Sequence, residues 1–191
     1  MPSNSVRVSG ATSYERNIDL KVKLHQLWQH SDQAMRERIA RYYVVVWGGI
    51  KRNKQDKLTE YVNAACAGNL PPAQGVASWS KVLAAADPHN HAIFDARVSL
   101  SLNALQFLRP HSPRWRFPEL PSQNNLVREA GPRLACRAEQ AGWGQIPRAL
   151  VYPTYLRILQ IAAPGLPGPL PLATAEMVLF ARTEELVAQV G

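Results

Sequence analysis

Apolar residues recur at helical spacing along nearly the whole chain, and Gly, Pro, Asn and Asp punctuate the periodic runs. Ile18, Val22, Leu24 and Leu27 predict a first helix over roughly 17–30. Ser31-Asp32 offers an N-cap for a second, which runs to about Val46 and is broken by Trp47-Gly48-Gly49. The Val-rich stretch Tyr42 to Trp47 is the one place that also reads as a strand. A third helix covers Gln55 to Ala67, ended by Gly68-Asn69 and Pro71-Pro72, and a fourth runs from Val76 to Ala86. Asp95 is placed to cap a fifth, with Val98, Leu102 and Leu105 on one face to Leu108. A connector with Pro110, Pro113, Pro118 and Pro121 leads to helices near 123–141 and 148–163. The run Pro164 to Pro171 reads as a stiff, non-helical turn. A last helix, 173–189, carries Met177, Leu179, Phe180 and Leu186. The expected class is all-α, a compact array of about eight helices in one domain over residues 1–191, with a polar N-terminal tail over 1–13.

Composition agrees with a packed domain. Of 191 residues 46% are hydrophobic and only 19% charged, which argues against intrinsic disorder. No apolar run reaches the ~18 residues of a membrane span, and Met1 to Gly10 lacks the apolar core of a secretory signal. Cys66 and Cys136 have no CxxC spacing and read as small buried thiols of a cytoplasmic protein.

The net charge of +8 is unevenly placed. Lys21, Lys23, Arg36, Arg38, Arg41, Lys51, Arg52, Lys54 and Lys57 face three acids in one stretch. Arg109 to Arg148 holds seven arginines against Glu119, Glu129 and Glu139. Between these flanks, from Tyr61 to Leu108, the charged side chains are Lys81, Asp87, Asp95 and Arg97. Phosphate-facing elements on either side of a nearly neutral centre would give this pattern, and so would charges that avoid buried helices. Aromatics beside basic residues, as in Arg114-Trp115-Arg116, add a compositional hint of nucleic acid.

Isolated ionisable groups in apolar surroundings are compensated or used. Lys81 is the last lysine of the chain, and burial would make its amine a better nucleophile. Asp95, at a helix start across a short turn, could share a cleft with it. A carboxylate there suits stabilisation of a cationic sugar or orientation of a nucleophile. The plain alternatives are that Asp95 is a cap and that Lys81–Asp95 or Asp95–Arg97 is a structural ion pair. His25 and His30 fall on a surface helix and His111 in the connector. His89-Asn90-His91 lacks the neighbours of a metal site, and no GxSxG, P-loop or GxGxxG is present, so neither metal nor cofactor is expected.

Ser80-Lys81-Val82-Leu83, followed by Ile93-Phe94-Asp95-Ala96-Arg97-Val98, resembles the core of bacterial 8-oxoguanine DNA glycosylase-like proteins. Trp47-Gly48-Gly49-Ile50, Tyr152-Pro153-Thr154-Tyr155-Leu156 and Glu176-Met177-Val178-Leu179-Phe180 resemble further pieces of that family, in order, over most of residues 40–182. The family includes small phage-defence enzymes that release modified, even glucosylated, cytosines. The resemblance implies a divergent helix-hairpin-helix glycosylase that flips and excises a modified base from double-stranded DNA. It implies Asp95 as the carboxylate facing the sugar and Lys81 as an amine able to attack C1′. It implies Arg97 as a phosphate ligand or a support for Asp95. Trp47, Gly48 and Gly49 line the base pocket or merely stop a helix; Trp79 and Phe94 are pocket walls or core. The family's Gly-rich hairpin is missing, with Asp87-Pro88-His89-Asn90-His91 in its interval, and the Lys-to-Asp separation of 14 is short. Lys51, Arg52 and Lys54, with Arg109, Arg114 and Arg116, are the replacement DNA contacts. No membrane and no obligate protein partner is implied.

Overall fold

A computed structural model describes residues 6–109 and 114–191. Among these residues the chain forms nine α-helices, one π-helical turn and two two-residue strands. The all-α class expected from the periodicity is observed. Pro110, His111 and Pro113 of the connector lie outside the described residues, as do residues 1–5 of the tail.

The first helix, α1 (Ser13–Gln29), starts about four residues earlier than its apolar stripe implies. Thr12 Oγ1 accepts the Glu15 N–H at 3.1 Å, and the Glu15 carboxylate accepts the Thr12 N–H at 2.9 Å. This capping box satisfies free donors of the first turn before any residue is buried. The buried face is Ile18, Leu20, Lys21, Leu24 and Trp28, so Leu27 points outward and a lysine sits in the stripe.

Helix α2 (Gln33–Arg41), capped by Asp32, runs without a break into the π-helical turn Tyr42–Trp47. The strand alternative is therefore not adopted. The Gly48 N–H reaches the Tyr43 carbonyl, five residues back, at 3.1 Å. One extra residue per turn lets Tyr43 and Val44 both enter the core while Val46 and Trp47 face outward. Helix α3 (Gln55–Cys66) ends where Gly68 takes a left-handed conformation, φ 67°, and the Asn69 N–H returns to the Ala64 carbonyl. Helix α4 (Val76–Ala86) follows and packs against α1 and α3.

Helix α5 (Ala96–Leu108) is central, buried on every side from Val98 to Ala104 and packed on α6, α8 and α9. Its buried polar side chains tie down neighbouring loops and helices. Ser99 donates to the Pro118 carbonyl, Ser101 to the Leu179 carbonyl, and Asn103 exchanges two hydrogen bonds with the Phe117 backbone. Strands β1 (Trp115–Arg116) and β2 (Gly144–Gln145) pair in parallel on either side of α6 (Asn125–Gln140). Helix α7 (Arg148–Ala162) follows. The expected last helix is two, α8 (Pro171–Ala181) and α9 (Thr183–Val190). Pro171 is part of α8 rather than of the turn, because a proline at the first helical position forfeits no internal hydrogen bond. The break at Arg182 is held by Thr183, whose buried hydroxyl donates to the carbonyls of Phe180 and Leu179.

Both cysteines are exposed, contrary to the expected buried thiols. Each falls on the outer face of an amphipathic helix, which composition alone does not reveal. No helix among the described residues is long and apolar enough to cross a membrane.

A buried ion pair crosses the core. Lys21 Nζ of α1 lies 2.7 Å from Glu176 Oε2 of α8, with side chains only 2% and 7% exposed. Removing one partner strands a charge, whereas replacing both with apolar groups removes the desolvation cost as well. Lys21→Met should therefore lower unfolding free energy by about 3 kcal/mol or more. Lys21→Met/Glu176→Leu should recover only part of that loss, as read by chemical denaturation, because Glu176 also accepts the buried Ile93 N–H.

Candidate functional site

Asp95 stands at the end of a short extended segment, Ala92 to Phe94, that runs through the core with exposures of 0–3%. Its backbone finds no strand to pair with, and side chains from three helices take its polar groups instead. Tyr152 Oη donates to the Ala92 carbonyl at 3.0 Å and Tyr155 Oη to the Ile93 carbonyl at 2.7 Å, both from α7. The Ile93 N–H donates to Glu176 Oε2 at 2.9 Å. The Phe94 N–H donates to Ser80 Oγ of α4 at 3.1 Å. Burial pushes the pKa of both tyrosines up, so they remain phenols and donors.

Asp95 itself is partly exposed, and its Oδ1 accepts the Val98 N–H at 3.0 Å. The expected cap is thus present. Its Oδ2 has no hydrogen-bond partner among the described residues, which leaves half of the carboxylate available.

Lys81 is 4% exposed, and its Nζ donates to the Ala77 carbonyl one turn back at 2.8 Å. No ion pair joins it to Asp95 among the described residues. Burial lowers its pKa, against the raising effect of the Asp95 and Glu176 charges. The π-helical turn covers it from one side. A β-carbon on Gly48 would lie 2.7 Å from Lys81 Cε and under 3 Å from the carbonyl oxygens of Val44 and Tyr43. Glycine is needed there for close approach and not for conformation, since its φ is −81°. Trp47, 41% exposed, rests on Tyr43 with ring centroids 4.8 Å apart. The Tyr43 hydroxyl is buried without a hydrogen-bond partner, and burial, with the Glu176 charge adding, pushes its pKa well up.

The other expected residues divide into groups. Trp79 and Phe94 are core side chains, 2% and 0% exposed. Trp79 meets Tyr152 edge-on, and Phe94 lies between Phe117 and Tyr155. Arg97 pairs with Glu184 at 3.0 Å and covers the Phe180 ring, so its partner is α9 and not Asp95. Gly49 has open space around it, and Lys51, Arg52 and Lys54 are exposed in the same loop. Arg109 caps the far end of α5, about 20 Å from Asp95 at 1.5 Å per residue, while the segment carrying Arg114 and Arg116 runs beside the same helix, its backbone tied to Gln106 and Asn103. There Arg114 covers Trp143, and Arg116 donates to the Ala135 carbonyl. His30 is exposed, while His25 is half-buried with Nδ1 unpartnered. No group of three or more His, Cys, Asp or Glu among the described residues is placed to hold a metal ion.

Lys21, Glu176 and the two tyrosines were not singled out as site residues by their chemistry. The signal was available for Glu176, the only charged side chain of α8, by the same reasoning that picks out Lys81. The chain matches no known family model, and no curated protein or solved structure is significantly similar to it.

A buried lysine without a carboxylate partner is a cost to the fold. The folded chain holds the Lys81 proton less tightly than the unfolded chain, so stability at this site rises with pH through the interval between the two pKa values. Lys81→Met removes the cost. Its melting temperature at neutral pH should exceed the parent's by about 2–4 °C, narrowing as pH approaches the ordinary lysine value of about 10.

Proposed function

We propose that the chain is a DNA glycosylase of the cytoplasm that excises a modified base from double-stranded DNA, and that Asp95 is its reacting carboxylate. The observation that carries this reading is the mount. A half-free carboxylate is held at a helix start by a buried segment whose backbone is pinned from three helices. Such rigidity suits a group that must face a transient charge. The second support is the resemblance of the Lys81 and Asp95 segments to bacterial 8-oxoguanine DNA glycosylase-like proteins, whose phage-defence members act on modified cytosines.

In this reading the flipped nucleotide's C1′–N bond breaks, and its electron pair leaves with the base. Asp95 stabilises the cationic sugar until water adds at C1′, and the proton that water loses ends on the departed base. Lys81 lies behind Gly48 with Nζ committed to Ala77, so an amine attack on C1′ first requires the π-helical turn to move. Hydrolysis by water is therefore the main route. Lys51, Arg52 and Lys54 are exposed beside Trp47 and Gly48 and take the phosphates nearest the flipped nucleotide. Arg109, Arg114 and Arg116 contact the duplex further along.

Asp95→Asn keeps a side-chain oxygen to cap α5 while removing the charge. It should cut base release from modified DNA by at least about 100-fold and leave DNA affinity at fixed salt unchanged. Release at the parental rate would overturn the assignment. A chain that binds DNA but frees no base would be a non-catalytic binding protein on the same scaffold. The triple variant Lys51→Ala/Arg52→Ala/Lys54→Ala should flatten the dependence of log affinity on log salt by about 2–3. An unchanged slope would remove these residues from the interface.

A further inference from the structure

Glu176 occupies a place where an apolar side chain would serve packing better. It is the only charged residue of α8, it is 5% exposed, and its ion pair with Lys21 crosses to α1 beside the neutral Tyr14–Thr174 hydrogen bond. A buried ion pair is a weak source of stability compared with apolar groups of the same shape. Its retention calls for another role, and the geometry supplies one. A single oxygen, Oε2, accepts both the Lys21 ammonium at 2.7 Å and the Ile93 N–H at 2.9 Å.

The Ile93 N–H has no helix or strand partner, and two residues later the chain reaches Asp95. We propose that Glu176 is a positioning residue, held by Lys21, that fixes the Ile93 N–H and through it the carboxylate of Asp95. This inference rests on the reading of Asp95 as the reacting group. Tyr155 grips the same residue at its carbonyl, so both peptide units that flank the Ile93 Cα are held. Lys21 aims the Glu176 carboxylate through their 2.7 Å contact; Tyr43, whose buried hydroxyl lies near the same carboxylate, makes no hydrogen bond to it.

Two double variants test the role, because both remove the ion pair as a unit and one of them still offers an acceptor to Ile93. Lys21→Met/Glu176→Gln retains an amide oxygen for the Ile93 N–H; Lys21→Met/Glu176→Leu does not. Hydrogen exchange followed by NMR reads the Ile93 and Phe94 amides. It also reads the Val98 amide, whose partner is Asp95 Oδ1. In the leucine variant these amides should exchange about 10-fold faster than in the glutamine variant. Its turnover in base release should be about 10-fold lower, at unchanged KM for DNA.

Should the leucine variant fail to fold, Lys21→Met/Glu176→Met takes its place as the variant without an acceptor. Equal exchange at Ile93 and Val98 in the paired variants would overturn the inference, and so would equal turnover in two folded variants. The exchange comparison needs no DNA. A parent chain that frees no base therefore counts against the glycosylase reading, and the exchange difference still decides whether Glu176 sets the place of Asp95.

Discussion

One carboxylate oxygen, Glu176 Oε2, joins three parts of the molecule that are far apart in sequence. It accepts Lys21 from α1 and the Ile93 N–H from the extended segment, and it belongs to α8. The constraint behind this arrangement is general: a buried backbone outside helix or sheet must find side-chain partners for its polar groups. Ala92 to Phe94 is such a backbone, and Tyr152, Tyr155, Glu176 and Ser80 are the partners. The cost of burying those four polar side chains is offset because each satisfies the backbone. What emerges is a rigid support for Asp95 at the start of the central helix.

The same economy explains why Lys81 stands apart. Tyr152, Tyr155, Glu176 and Ser80 each satisfy the backbone of the segment itself. Lys81 caps a carbonyl that already belongs to a helix, has no ion-pair partner among the described residues, and lies under a π-helical turn that tolerates only glycine at residue 48. Fold stability alone gives no reason for a lysine there, and π-helical turns recur at functional sites for this kind of local reshaping. The charge that surrounds this centre is likewise sorted by position. Lys51, Arg52 and Lys54 flank the π-helical turn, while Arg114 and Arg116 are partly absorbed into the β1–β2 clasp through Trp143 and Ala135.

The parts legible in the sequence are those decided by local rules. Asp95 caps α5 and Asp32 caps α2 because short acidic side chains reach the third backbone amide of a helix, whatever the rest of the chain does. Val76–Ala86 was readable for a related reason, bounded by glycine and by Asp87-Pro88. The π-helical turn was not, since the extra residue per turn is set by how Tyr43 and Val44 enter the core together. The break at Arg182 depends on Thr183 meeting helix carbonyls, and the exposure of Cys66 and Cys136 depends on which helix face is covered. At the site, Lys81 and Asp95 stood out as lone charges among apolar residues. Their supports did not, because tyrosines and a glutamate in helical runs declare no partner until the fold brings residue 93 against them. Trp79 and Phe94 illustrate the converse: though close in sequence to Lys81 and Asp95, they are core side chains.

The central claim is that this support exists to present a carboxylate to a sugar. The most direct measurement is incubation of the full chain with duplexes carrying 8-oxoguanine, plain cytosine or glucosylated hydroxymethylcytosine, with mass spectrometry of the small-molecule fraction. Free base from a modified duplex and none from the plain one is the expected result. Intact nucleotides in all three, from a folded chain bound to each duplex, would contradict it.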